Sequence, residues 1–308
     1  MRALLVDPAV PGRLRLGEAE NPRPAANEAL VRVSAVSLNS GEVKRGIQEA
    51  AAGEVLGWDA AGVVERAAAD GSGPAAGTPV VTIGPAGAWA ELRAVNTDLI
   101  GIVPEGADLG AISTVPVAGG SALRALDRIG PLLGRRIVIT GATGGVGRYA
   151  VQLARRGGAH VIACTGDPER HGESLTALGA HEVITAPAQL DEPVHGIVDT
   201  VGGQQLADGY TRLAEHGTLV SVGRAAPGEQ TFPDGAFAGP AGHDRTLTTF
   251  YLLRCEGVGR DLTVLAGLVA AGELDANIAW RGPWQDVATA TERLVDRRLH
   301  GKAVLDVV

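Results

Sequence analysis

Residues 135–153 read RRIVITGATGGVGRYAVQL, and this stretch decides the fold. Arg136–Thr140 is a short apolar run rich in β-branched residues, which is typical of a buried parallel strand. The run ends in the glycine-rich segment 141–147, and apolar residues then resume at helical spacing from Tyr149. A strand, a glycine-rich turn and a helix in this order form the context in which such a turn predicts phosphate binding.

Two glycines of this turn have specific physical roles. Gly144 lets the backbone approach a pyrophosphate that a Cβ would block, and Gly147 lets the helix lie close to the strand. The N–H groups of the first helical turn and the helix dipole favour an anion there. A purely structural turn could use the same glycines. A second strand predicted over Ala159–Cys164 completes a βαβ unit and therefore favours dinucleotide binding.

Composition limits the class of protein. The chain has 308 residues, enough for two domains of about 150 residues each. The net charge of −8, without a basic cluster, argues against nucleic acid or an anionic membrane as a partner. Cys164 and Cys255 are far apart and belong to no Cys/His cluster, so neither a disulfide framework nor a zinc site is expected. The N-terminal apolar run is too short for a signal peptide, and we expect a cytoplasmic protein.

Residues 1–115 are predicted to be mostly strands. Short alternating or apolar runs separated by Gly and Pro indicate a small barrel. The predicted strands are Ala3–Val6, Ala29–Val36, Ala60–Ala67, Thr78–Ile83 and Trp89–Val95.

The pattern changes near Pro116 to alternating helix and strand, which predicts a doubly wound sheet. Besides the βαβ unit, the predicted elements are helices at Val117–Leu126, Pro168–Leu178 and Gln204–Ala214, and strands at Glu182–Thr185, Gly196–Thr200 and Gly217–Val222. Four histidines of this region lie near predicted surface turns and are expected to be solvated: His171, His181, His195 and His216. The irregular segment Phe232–His243 could overhang a substrate cleft.

After about Leu247 the chain changes again. Amphipathic helices are predicted at Asp261–Ala271 and Trp284–Leu294, and a final strand at Ala303–Val307.

Five segments of the chain resemble the medium-chain dehydrogenases/reductases, in their zinc-free quinone oxidoreductase branch. They are VSAVSLNSGEVKRG (33–46), VLGWDAAGVVE (55–65), AWAE (88–91), the nucleotide loop 141–154 and GKAVL (301–305). The resemblance implies an α/β protein with a GroES-like β-barrel catalytic domain and an inserted Rossmann domain with a doubly wound parallel sheet. The catalytic domain would comprise residues 1–115 and 248–308, and the Rossmann domain residues 116–247.

The resemblance also bears on metal binding. The zinc-dependent branch would place a Cys near Ser40 and a His just after Gly57, where this chain has Leu38-Asn39-Ser40 and Trp58-Asp59. Zn²⁺ prefers thiolate and imidazole ligands, so no zinc and no other metal is expected.

Three candidate catalytic residues follow from the resemblance. Asn39 matches the family's Asn beside the nicotinamide ribose, although an Asx-type turn after a strand would also explain it. Glu42 replaces the usual Asp and is expected to orient Asn39 or to cap a helix. Lys44, one of two lysines in the chain, could polarise a substrate carbonyl or relay a proton, or could be a solvated surface lysine.

Cofactor preference rests on the end of the second strand of the βαβ unit. A fold that prefers NAD usually has a carboxylate there, and this chain has Thr165. Arg170 falls where NADPH-using relatives carry a Lys and could pair with a 2′-phosphate, although Asp167 nearby would repel it. NADPH is therefore favoured over NADH. The candidate cofactor-binding residues are Ser121, Gly141, Ala142, Thr143, Gly144, Gly145, Val146, Gly147, Thr165, Arg170, Val201, Val222, Gly223, Arg224, Phe250 and Lys302.

The branch implies zinc-independent transfer of a hydride from NADPH to a quinone or to the C=C of an enone or enoyl thioester. The substrate would be a small molecule or a carrier-bound one. The segments Ile47–Glu54 and Thr82–Trp89 look shorter than in other members of the branch, so the substrate side would be open. An open side would suit a bulky or carrier-bound substrate, for example in secondary metabolism. Two alternatives stay open: a cyclase or dehydratase on the same fold, and an NADPH-binding sensor without turnover. Family habit also implies a homodimer formed through Gly217–Val222 and the segment around Thr246–Leu253.

Overall fold

The computed structural model describes residues 1–238 and 242–308, so the segment Phe232–His243 lies partly outside the described residues. The chain forms two compact units. Unit 1 comprises Met1–Gly120 and Leu252–Val308, and unit 2 comprises Ser121–Tyr251. The sequence predicted divisions at 115/116 and 247/248, and each structural division lies a few residues later in the chain.

The strands, in chain order, are β1 (Arg2–Val6), β2 (Leu14–Glu18), β3 (Glu28–Leu38), β4 (Asp59–Arg66), β5 (Pro79–Ile83), β6 (Leu92–Asn96), β7 (Ile100–Ile102), β8 (Arg136–Ile139), β9 (His160–Cys164), β10 (Glu182–Ile184), β11 (Val194–Asp199), β12 (Leu213–Ser221), β13 (Thr246–Thr249), β14 (Ile278–Pro283) and β15 (Lys302–Asp306). The α-helices are α1 (Ile47–Glu49), α2 (Leu109–Ile112), α3 (Gly120–Ile129), α4 (Gly145–Arg156), α5 (Pro168–Ala177), α6 (Gly203–Thr211), α7 (Val258–Ala270) and α8 (Val287–Val295). Among the helices of the described residues, none combines the length and apolar character needed to cross a bilayer.

Unit 1 is built around a sheet in the order β14-β15-β3-β4-β5-β7, and β6 also pairs with β3. Strand β15 pairs antiparallel with β3, so two segments far apart in the sequence lie side by side in this sheet. Its core includes the fully buried Leu4, Val36, Trp89, Trp284 and Leu305.

Strands β2, β7 and β14 were not predicted from the sequence. In β14, half-buried and exposed residues alternate, and none is buried. It lies at the edge of the sheet and contains Gly and Pro, so its apolar signal is weak.

Unit 2 has six strands in the order β10-β9-β8-β11-β12-β13, and every neighbouring pair is parallel. The chain starts at β8 in the middle, extends to β9 and β10 on one side, and then returns to β11 on the other. This is the doubly wound order that the sequence predicted, and it places a switch point between β8 and β11, at whose carboxyl ends ligands bind.

Helix α6 and strand β12 differ from the prediction of a helix over Gln204–Ala214. The helix ends at Thr211, and the chain is already in β12 from Leu213. Leu213 and Leu219 are fully buried in the core of unit 2, so tertiary burial outweighs the local helical pattern.

The expectation that His171 is solvated is wrong. His171 and Leu175 are both buried, and they lie four residues apart on one face of α5. Because α5 packs against β10, that face is turned inward. Burial and the charge of Arg170 lower the pKa of His171. His195 is half-buried, and its Nδ1 accepts the backbone N–H of Arg136 at 3.1 Å, whereas His181 and His216 are exposed.

Replacing glycine by alanine at two positions should change the free energy of unfolding in opposite directions. A Cβ added to Gly62 in β4 would overlap the backbone oxygen of Arg32, whereas one added to Gly267 in α7 meets nothing within 4 Å. We expect Gly62→Ala to lower the free energy of unfolding by about 2 kcal/mol or more. Gly267→Ala should raise it by about 0.5–1 kcal/mol, because alanine is the better helix former. Urea unfolding of both variants measures this, and equal effects would contradict the pairing of β3 with β4.

Candidate functional site

The glycine-rich turn of unit 2 joins β8 to α4. Gly141 has φ +58°, in the left-handed region that favours glycine. A Cβ on Gly147 would overlap the Gly141 oxygen and lie 2.7 Å from the Cα of Ala142, so α4 packs against the turn only because residue 147 is glycine. A Cβ on Gly144 would meet only the Gly141 oxygen, at 3.3 Å, so the space beside Gly144 is open.

These residues fit a dinucleotide pyrophosphate. Gly144 is the N-cap of α4 and provides no side chain to cap it. The N–H groups of the first turn of α4 therefore have no partner within the helix, and such groups favour an anion at the start of a helix. The seven predicted residues 141–147 form this one turn.

At the carboxyl end of β11, the fully buried Asp199 fixes the turn that follows the strand. Its Oδ1 accepts the Thr140 hydroxyl at 2.6 Å, and its Oδ2 accepts the Gly202 N–H at 2.9 Å. Its backbone oxygen accepts the N–H of Val222 at 2.7 Å. Burial raises the pKa of Asp199. The turn containing Val201 and the Val222-Gly223 pair are thus held at the carboxyl ends of neighbouring strands.

At the end of β9, Thr165 is buried and Arg170 is exposed in the first turn of α5. The carboxylate of Asp167 caps this helix by accepting the Arg170 N–H at 3.0 Å. Sequence reasoning missed Arg148, which directly follows the last glycine of the loop. Its Nε donates to the Thr143 oxygen at 3.2 Å, which places another cation beside the loop.

The remaining predicted cofactor residues of unit 2 have diverse surroundings. Arg224 is exposed and donates to the backbone oxygen of Gly228. Phe250 is half-buried, and the Arg128 guanidinium lies 4.3 Å from its ring centroid. Ser121 is buried at the second position of α3.

In unit 1, Asn39 follows β3 and is 8% exposed. Its backbone N–H and its Nδ2 donate to Glu42 Oε2, at 2.8 and 2.9 Å. Nδ2 also donates to Asp59 Oδ2 at 2.9 Å, and Oδ1 accepts from Lys302 Nζ at 2.6 Å. We call Asn39, Glu42, Asp59 and Lys302 the buried polar network.

Glu42 is fully buried and begins a π-helical turn, Glu42–Gly46. Its Oε1 accepts the backbone N–H of Trp58, so its carboxylate joins the segment after β3 to the segment before β4. Burial, and then the charge of Asp59, raise the pKa of Glu42 to about 8, and the charge of Lys302 opposes this shift. The expectation that Glu42 orients Asn39 agrees with these contacts.

Asp59 was not selected from the sequence. It is fully buried, and its Oδ2 accepts the Ser37 hydroxyl at 2.8 Å while its Oδ1 accepts the Val117 N–H at 3.1 Å. Lys302 Nζ lies 3.6 Å from Oδ2 and donates to the Leu38 oxygen at 3.0 Å. Burial raises the pKa of Asp59 and lowers that of Lys302. The sequence did contain a signal for a buried acid at this position, because Asp59 is the one charged residue in the otherwise apolar run 55–64.

A second buried cation, Arg93, was also missed. It is 2% exposed, and it donates to Thr82 Oγ1 at 2.9 Å and to the Ala86 oxygen at 3.2 Å. Burial lowers its pKa to about 10, and the charges of Asp59 and Glu42 oppose this shift. The two buried acids, Glu42 and Asp59, are therefore accompanied by two buried cations, Lys302 and Arg93.

Lys44 lies outside the buried polar network. It is exposed on the same π-helical turn as Glu42. Partial burial and the charge of Arg297 lower its pKa. Of the residues predicted in unit 1, the structure thus brings Asn39, Glu42 and Lys302 together and leaves Lys44 at the surface.

The pH dependence of stability tests the state of Glu42. Because its pKa is raised in the folded protein, the folded state holds the proton better than the unfolded chain between pH 4.5 and about 8. The stability contributed by Glu42 therefore falls as pH rises through that window. Glu42→Gln does not titrate, so its free energy of unfolding should fall less between pH 6 and pH 9, by about 2 kcal/mol. Urea unfolding at both pH values measures this.

The exposed Glu105→Gln is the control, and its pH dependence should match that of the unchanged protein. Equal slopes in Glu42→Gln and Glu105→Gln would show that Glu42 does not bind a proton on folding.

Two family models match the chain. The model described as alcohol dehydrogenase GroES-like domain matches residues 25–114, and the one described as zinc-binding dehydrogenase matches residues 178–305. The chain is 32% identical over 267 residues to erythronolide synthase EryA2 of Saccharopolyspora erythraea, covering 81% of this chain and 7% of that protein. It is 25% identical over 224 residues to acryloyl-coenzyme A reductase of Metallosphaera sedula, covering 71% of this chain and 65% of that protein.

Among solved structures, the quinone oxidoreductase from Coxiella burnetii superposes with a TM-score of 0.83 at 26% identity, covering 100% of this chain and 99% of that one. The expected fold class, a GroES-like unit and an inserted doubly wound Rossmann sheet, is confirmed. The chain belongs to the medium-chain dehydrogenase/reductase superfamily of oxidoreductases, in its quinone oxidoreductase and enoyl reductase branch.

Proposed function

We propose that this chain is a zinc-independent, NADPH-dependent oxidoreductase that reduces a quinone or the C=C of an α,β-unsaturated carbonyl compound. The geometry of the loop 141–147 carries the proposal. The loop is closed by backbone contact at Gly147 and open at Gly144, and it lies at the switch point of a parallel sheet. This is the arrangement in which a dinucleotide's pyrophosphate meets the start of a helix.

The surroundings of β9 support NADPH. No carboxylate stands at Thr165 to accept hydrogen bonds from both ribose hydroxyls. Arg170 is exposed and suited to a 2′-phosphate, and the Asp167 carboxylate that would repel a phosphate is engaged in capping α5. When bound, the reduced nicotinamide supplies a hydride to an electron-poor carbon.

The donor groups of unit 1 do not fit a catalytic zinc. Trp58 has no ligand atom where the zinc-dependent branch would place a His. The Asn39 side chain is hydrogen-bonded to two carboxylates and an ammonium. Zn²⁺ is rarely bound by such groups, whereas thiolates and imidazoles are its usual ligands. We therefore propose zinc-independent chemistry, although one matching family model is described by its zinc binding.

The names of two relatives support the substrate class. Acryloyl-coenzyme A reductase and quinone oxidoreductase both describe proteins that act on electron-poor conjugated acceptors. In such a reduction the acceptor's β-carbon gains a hydride, the electron pair moves to the carbonyl oxygen, and a proton completes the product. Lys44, whose exposed ammonium has a lowered pKa, is our candidate for polarising that carbonyl or delivering the proton.

One titration tests the proposal. We expect the nicotinamide fluorescence of NADPH to increase when it binds, and we expect NADPH to bind more tightly than NADH. The bound NADPH should be oxidised when an enone or quinone is added. Gly144→Val should weaken NADPH binding by at least about tenfold while the protein still folds, because its side chain fills the open space beside the loop. Gly267→Val, on a helix of unit 1, is the control and should bind as the unchanged protein does.

Absence of NADPH binding would overturn the proposal. Binding without oxidation by any acceptor would leave the sensor or the cyclase and dehydratase alternatives. Tighter binding of NADH would overturn the role of Arg170.

We also propose that the chain is a homodimer joined through β13. Among the described residues, this strand pairs on one side only, with β12. Leu247 within it is 39% exposed, and Tyr251 just after it is 61% exposed. An open, partly apolar edge strand is a ready surface for a second copy. Light scattering after gel filtration should give twice the chain's mass, and Thr248→Pro should shift it toward the monomer. A monomer at micromolar concentration would contradict the proposal.

A further inference from the structure

The side-chain amide of Asn39 has a fixed orientation. Its two Nδ2 hydrogens are directed at two carboxylate oxygens, Glu42 Oε2 and Asp59 Oδ2, both at 2.9 Å. Its oxygen accepts from the Lys302 ammonium at 2.6 Å. A flipped amide would place its oxygen against two carboxylates and its NH₂ against the ammonium, so electrostatics exclude it.

This arrangement exhausts the donors of Asn39. A primary amide has two N–H hydrogens, and both are used. Its oxygen has two lone pairs, and the ammonium of Lys302 uses one. One acceptor position is therefore all that the side chain has left for a ligand.

Asp59 stands at the centre of this arrangement. Its Oδ2 also accepts the Ser37 hydroxyl, and its Oδ1 accepts the N–H of Val117, within a second π-helical turn, Val115–Gly119. Glu42 begins the first π-helical turn. The two carboxylates of the buried polar network thus anchor two π-helical turns, and such turns occur frequently at functional sites.

We propose that Asp59 is a positioning residue that fixes the amide of Asn39, so that Asn39 meets a ligand only as a hydrogen-bond acceptor. The proposal rests on the proposed function for the identity of that ligand, a nicotinamide nucleotide or an unsaturated carbonyl substrate. The ligand group beside Asn39 must then be a donor, an O–H or an N–H. Asn39 cannot donate to the oxygen on which negative charge develops, so that oxygen is stabilised by another residue.

Nuclear magnetic resonance of the protein without any ligand tests this directly. Labelling with ¹⁵N-asparagine gives side-chain NH₂ signals from five residues, and Asn39→Leu identifies the pair that belongs to Asn39. We expect its NH₂ hydrogens to exchange with water at least about tenfold more slowly than those of the exposed Asn27, because both are hydrogen-bonded to buried acidic side chains. Exchange as fast as that of Asn27 in the unchanged protein would overturn the proposal.

Two variants separate the charge of Asp59 from its packing. Asp59→Asn removes the charge and replaces one of two oxygens, both of which accept hydrogen bonds, by an NH₂ donor, and should accelerate exchange of the Asn39 NH₂ at least about tenfold. Ser37→Ala is the matched control, because it removes one hydrogen bond to the same buried oxygen and keeps the charge. It should leave the Asn39 signals close to their original positions.

Equal changes of the Asn39 signals in the two variants would assign Asp59 a general packing role and overturn the proposal. If Asp59→Asn does not fold, the exchange rate in the unchanged protein still decides the outcome. Absence of NADPH oxidation would contradict the proposed function alone, because these spectra need neither cofactor nor turnover.

Discussion

The structure of unit 1 depends on the pairing of charges that have been removed from water. Glu42 and Asp59 are fully buried, and each carboxylate would be costly to bury alone. The cost is offset by hydrogen-bond donors from the peptide backbone, from Asn39 and from Ser37, and by the ammonium of Lys302. Removing Lys302 would take the nearest ammonium away from the buried Asp59 carboxylate, whereas removing the Ser37 hydroxyl would take away one of several hydrogen bonds and leave that charge paired.

The two units obtain precision in different ways. In unit 2 the shape of the loop 141–147 depends on the absence of Cβ atoms, since Gly147 permits close contact with the turn and Gly144 leaves space beside it. In unit 1 the side chains are fixed by hydrogen bonds to one another, since the Asn39 amide donates to both Glu42 and Asp59. The proposed reaction needs both features. The glycine loop accepts a pyrophosphate because it has no side chains in the way, and the buried polar network keeps each hydrogen-bond donor and acceptor in a fixed role.

Much of unit 2 was predictable because its signals are local. Strand β8, the loop and α4 follow from consecutive residues, and the parallel order follows from the alternation of strands and helices. The edge strand β14, the end of α6 and the burial of His171 were not predictable, since each depends on which face of an element meets the core. In unit 1, Asn39 and Glu42 were found through short motifs. Asp59 and Arg93 were missed because their partners lie in distant segments.

The contact between Lys302 and Asn39 spans 263 positions of the chain. During synthesis from the N-terminus, residues 1–120 emerge with Glu42 and Asp59 but without Lys302 and without β15, the strand that pairs with β3. Unit 2, by contrast, is one continuous segment and is complete before Lys302 is made. All of unit 2 is therefore synthesised before β15, whereas unit 1 cannot complete its sheet or its buried polar network until residues 302–306 have been made.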